Sequence, residues 1–90
     1  MKKIATPTVL NEREHTHGNF QVTAACAQRL KWTLHNFTVE SKLSAVQQEA
    51  LDMICTKLAR IMSGDSKCID HWKDIAGYAT LAQQELELSL

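Results

Sequence analysis

Apolar residues recur at helical intervals in three stretches of this chain. In the first, Val22, Cys26, Leu30, Leu34 and Phe37 fall on one stripe with Ala25 beside it, while Phe20, Ala24 and Ala27 widen the face. The spacing predicts a helix that begins after Gly18 with Asn19 as N-cap, runs to about Asn36 and buries that stripe. Gln28, Arg29 and Lys31 then face water, and Trp32 packs at an edge or against a partner chain. In the second stretch Val46, Ala50, Met53, Ile54, Leu58 and Ile61 hold the period, broadened by Leu51, Cys55 and Met62. Ser44-Ala45-Val46-Gln47 reads as a capping box at its start, and Gly64 as a C′ terminator after Ser63. In the third, Ile75, Ala79, Ala82 and Leu86 form an apolar stripe joined by Trp72 and Ala76, over a helix from about Cys68 to Glu87.

The expected fold is all-α, with three main helices. Only about five residues, Gly64 to Cys68, link the second helix to the third, so these two form an antiparallel hairpin. The first helix packs across it. Residues 1–16 hold no sustained period and include Pro7, and read as a loosely ordered N-terminal arm preceding a single helical domain over 17–90. Gly77 interrupts the third helix at a cost of about 1 kcal/mol against Ala. It marks an expected close approach of another backbone or a ligand.

Composition narrows the function classes. Ten basic and ten acidic residues give a formal net charge of zero, which disfavours a general nucleic-acid binder. No apolar run reaches the roughly 18–20 residues of a membrane span, and Lys2 and Lys3 precede no signal-peptide core, so a cytoplasmic location is expected. Cys26, Cys55 and Cys68 are expected as buried, reduced thiols. A zinc site combining them with His71 lacks any C-x-x-C pair. A chain of 90 residues has a thin core of its own, and more than one apolar stripe on the last two helices predicts a homodimer or higher oligomer.

The polar residues suggest one cluster. Lys57 and Arg60 lie i, i+3 on the second helix, and Asp70, His71, Asp74 and Tyr78 share a strip of the third. Lys57 shares a face with Met53, Ile54 and Ile61, which draws it inward. Across an antiparallel hairpin these groups form either an interhelical salt-bridge set that fixes register or a ligand pocket, in which the two cations hold phosphate oxygens. His15 and His17, with Glu12 and Glu14, make a weak metal pair, and His35 suits a helix C-terminus. No catalytic set is apparent, and no cofactor is expected.

His17-Gly18-Asn19-Phe20, Lys57-Leu58-Ala59-Arg60 and Asp70-His71-Trp72-Lys73-Asp74-Ile75-Ala76-Gly77-Tyr78-Ala79 resemble the pattern of a functionally uncharacterised family of small phage and prophage proteins, over about residues 16–85. The resemblance implies a compact helical domain of phage or prophage origin. Asn19 stands where many relatives carry aspartate. The chain is more distantly similar to MazG-like all-α nucleotide pyrophosphohydrolases, whose two acidic pairs hold Mg²⁺ against a triphosphate. Here Lys57 and Arg60 replace the first pair, and cations there repel the metal. The expected function is therefore a non-enzymatic phage accessory protein that binds a host protein or a nucleotide-type ligand. The alternative is a Mg²⁺-dependent pyrophosphohydrolase.

Overall fold

A computed structural model describes residues 17–37 and 42–89; the expected arm over 1–16 lies outside them. The described residues form three helices, α1 (Phe20–Asn36), α2 (Ala45–Ser63) and α3 (Ile69–Leu88), with no strand among them. None is long and apolar enough to cross a membrane.

The helix starts follow from local chemistry. Asn19 Oδ1 accepts from the backbone N–H groups of Gln21 and Val22 at 3.0 and 3.3 Å, satisfying two donors that α1 would otherwise leave open. Ser44 Oγ accepts from Gln47 N at 3.0 Å, while Gln47 Oε1 accepts from Ser44 N at 2.9 Å, the reciprocal bonds of a capping box. Gly64 does end α2, but with φ −124° rather than in the left-handed conformation of a C′ glycine. Cys68 precedes α3 as its N-cap and makes no side-chain cap bond. The loop before it is held by Asp65 Oδ1, which accepts from Lys67 N at 2.9 Å, and by Trp72 Nε1, which donates to Ser66 O at 2.9 Å.

α2 is the central element. α1 and α3 each pack on it and make no contact set with one another. Both run antiparallel to it. Thr23 meets Ser63 at one end of the α1–α2 pair and His35 meets Asp52 at the other. Lys57 meets Asp74 midway along the α2–α3 pair, and Ser44 Oγ donates to Glu85 near its far end.

Among the described residues the buried apolar side chains are small apart from Ile61 on α2: Ala27 on α1 and Ala50, Cys55 and Ala59 on α2. Alanines at these contacts let the helix axes approach closely. The stripe expected to be buried on α1 is not. Val22, Leu34 and Phe37 are exposed, Phe37 at 81%, and α1 instead docks through Thr23 and Ala27. α3 departs in the same way. It turns His71, with Asp74, Ile75 and Tyr78 beside it, toward α2, while Trp72, Ala79 and Leu86 remain exposed. The close approach expected at Gly77 is absent, since a Cβ there would meet nothing within 4 Å.

Candidate functional site

Close backbone approach occurs instead at Gly18. Its φ is +83°, and a Cβ built on it would lie 2.2 Å from the carbonyl oxygen of Ser63 at the end of α2. Only glycine fits both the conformation and the space. The clamp is completed by hydroxyls. Thr23 Oγ1 donates to His17 O at 2.9 Å, lies 2.6 Å from Ser63 Oγ, and Ser63 Oγ reaches Ala59 O at 2.8 Å. His17, held by this clamp, sets its ring edge-on to that of His71, with centroids 4.9 Å apart and planes at 85°. His71 is 2% exposed. The His17-Gly18 lead-in thus joins α2 to α3 although α1 itself does not touch α3.

The expected polar cluster divides into two parts. Lys57, buried as its spacing implied, places Nζ 2.9 Å from Asp74 Oδ2. The Lys57 hydrogen bond holds the Asp74 carboxyl below its ordinary pKa, against the opposing effect of desolvation, with the charges of Lys57, His71 and Arg60 adding to the lowering. His71 packs beside this pair. Asp70 is exposed and Tyr78 half-buried farther along α3. Arg60 turns away, toward α1.

There it lines a groove of about 590 Å³ between α1 and α2, with Lys31, Thr56, Phe20, Ala24 and the His17-Gly18 lead-in among its other walls. Among the described residues no acidic side chain borders it. Phe20 is 81% exposed at its mouth. Arg60 and Lys31 form no ion pair among the described residues. Lys31, expected to face water, is half-buried as part of this wall. The apolar period gave no sign of the groove, because Phe20, Ala24 and Lys31 lie off the stripe that dominates α1. The motif around His17 and Gly18 was the available signal.

The metal-site expectations do not assemble. Among the described residues no three His, Cys, Asp or Glu side chains converge, and His15, Glu12 and Glu14 lie outside those residues. All three cysteines are free thiols, but only Cys55 is buried; Cys26 and Cys68 are half-exposed. Burial, then the neighbouring Asp52 charge, raises the Cys55 pKa, with Lys31 opposing.

Residues 2–86 match the profile of a domain of unknown function, DUF6378. The chain belongs to this family. No significant match is found among curated proteins or solved structures. The DUF6378 match spans α1, α2, α3 up to Leu86 and the whole Gly18 clamp, so clamp, ion pair and groove all lie within the family's domain.

Proposed function

We propose that this DUF6378 chain is a non-enzymatic binding protein of phage or prophage origin, acting in the host cytoplasm, whose binding element is the α1–α2 groove. The ligand is a nucleotide-type anion. One observation carries the reading: the groove sets Arg60 and Lys31 beside the exposed Phe20 ring with no carboxylate among the described residues of its wall. A guanidinium offers phosphate a planar pair of donors, and an aromatic ring offers a base a stacking face. Lys57, the other cation expected to hold phosphate, is already occupied by Asp74. Its role in this reading is to fix the α2–α3 register. A host protein is the other partner considered, and no feature of the groove favours it over a small anion.

The pyrophosphohydrolase alternative requires carboxylates where Lys57 and Arg60 stand, and ranks second. Titration calorimetry with ATP, ADP, AMP and pyrophosphate tests the first reading, with pyrophosphate release measured in parallel. Binding is expected to weaken at least tenfold in Arg60→Ala, to weaken in Lys31→Ala and to fall with added salt. Binding that is indifferent to both substitutions, or no binding at millimolar nucleotide, removes the proposal. Turnover that depends on Asp74 would establish the alternative.

A further inference from the structure

We infer that the side of the molecule opposite the groove is the interface of a symmetric homodimer. At 100° per residue, the groove takes Phe20, Ala24 and Lys31 from α1 and Thr56 and Arg60 from α2. The opposite flank of α1 carries Val22, Cys26, Leu30 and Phe37, and that of α2 carries Leu51, Leu58 and Met62. In an antiparallel pair, one side of the layer is reached by turning in the same sense on both helices. Applied to α3, that turn leads from its His71–Tyr78 contact line, past Ile75 at the edge of the contact, to Trp72, Ala79 and Leu86. The three apolar stripes of the sequence therefore lie on one side of a single layer of helices.

No described residue covers that side. Val22, Phe37, Leu58, Met62, Trp72 and Leu86 are each between about two-fifths and four-fifths exposed. At roughly 150–250 Å² per large side chain, they present on the order of 500–900 Å². A standard interface takes about 800 Å² per partner. Arg29 lies at the rim, and no charged residue occurs among the stripe positions, matching an apolar interface centre with a polar border.

A second copy is the occupant that this chemistry selects. An isologous contact pairs a patch with itself, so an uncharged apolar patch is self-complementary, whereas a like-charged one would repel. The chain's formal net charge of zero adds no long-range repulsion between copies. Residues 1–16 supply only Met1, Ile4, Val9 and Leu10 as large apolar side chains, too few to cover stripes on three helices. With α2 central, the two-fold axis passes near Leu58, and two layers stack as a six-helix assembly.

Sedimentation velocity on the full chain at micromolar concentration is expected to give a dimer of the 10.1 kDa chain. Met62→Glu and Leu58→Glu should each raise the dimer Kd at least tenfold, with helical circular dichroism retained because both side chains are exposed in the single chain. Leu81→Glu, on the far side of α3, should leave it unchanged. A monomeric wild type overturns the proposal, whether residues 1–16 or another protein then covers the face. So does a dimer insensitive to Met62→Glu and Leu58→Glu, or one dissociated by Leu81→Glu.

Discussion

Replacing Gly18 by alanine should be among the most damaging single changes in this chain, although it adds one methyl group near the surface. The residue sits at φ +83°, a conformation that costs a side-chain-bearing residue about 1–3 kcal/mol. The new Cβ would lie 2.2 Å from Ser63 O and 2.5 Å from Ser63 C, both backbone atoms of the last turn of α2. Relief requires the lead-in to move by more than an ångström. That movement separates the Thr23, His17 and Ser63 hydrogen bonds, each worth about 1 kcal/mol. Together these give a loss of about 3–5 kcal/mol, a large part of the roughly 5–13 kcal/mol expected for a domain of this length. Urea denaturation followed by circular dichroism is the direct measurement, and the corresponding fall in Tm is roughly 12–40 °C. Gly77→Ala is the internal comparison. It adds the same methyl group in open space within α3 and should stabilise by about 1 kcal/mol. A Gly18→Ala loss below about 1 kcal/mol, or equal effects at the two glycines, would refute the clamp.

The remaining expectations concern the ion pair and the thiols. The Asp74 pKa is lowered in the folded state, so its contribution to stability is present above the ordinary carboxylate value of about 3.9 and is lost as pH falls through the folded value. Asp74→Asn should therefore flatten the acid limb of the stability-against-pH curve; an unchanged limb would mean that other carboxylates carry it. Asp74→Leu alone leaves the Lys57 ammonium buried without its partner, so adding Lys57→Met should recover stability in chemical denaturation. A double variant less stable than the single would contradict that pairing. Cys55 should react with a disulfide reagent more slowly than Cys68, being buried with a raised pKa. Equal rates, read by mass spectrometry of partly labelled protein, would argue against it.

The three helices and most of their ends were legible in the sequence because each has a local cause. Asn19 and the Ser44–Gln47 pair cap through their nearest neighbours, and the short Gly64–Cys68 link leaves α3 no direction but back along α2. The contacts between helices were less legible. Large apolar residues mark a face that avoids water, and the natural inference was that the same chain buries it. Here helix approach is set by Ala27, Ala50 and Ala59, whose small size allows it, and by Thr23 and His71, which are buried because their polar atoms have partners within reach. Periodicity weights none of these strongly. Gly77 was misread for a related reason, since a glycine inside a helix carries no label for what stands beside it. Gly18 could be distinguished only by its place between an N-cap and a chain lead-in. In the polar cluster, the inward pull on Lys57 was visible from its apolar neighbours. The turn of Arg60 toward α1 depended on where α1 docks, which the apolar stripe of α1 could not reveal because that helix docks through Thr23 and Ala27.

Because α2 is the helix that α1 and α3 share, the described residues form two helical hairpins built on one strut. Its amides should show uneven protection against hydrogen exchange. Those of α2 can open only when both hairpins have come apart, and should exchange at the rate of global unfolding. α1 is fastened by the clamp at one end and by the His35–Asp52 contact at the other, and α3 by Lys57 and Ser44. Either can detach while the other stays in place, with loss of the His17–His71 ring contact that bridges the lead-in of α1 to α3. Detachment of α1 would dismantle the groove without disturbing the ion pair, so a ligand seated there would slow exchange in α1 selectively. The wall of the groove formed by Arg60 and Thr56 belongs to the strut and persists through such an opening. The wall bearing Phe20 and Lys31 comes and goes.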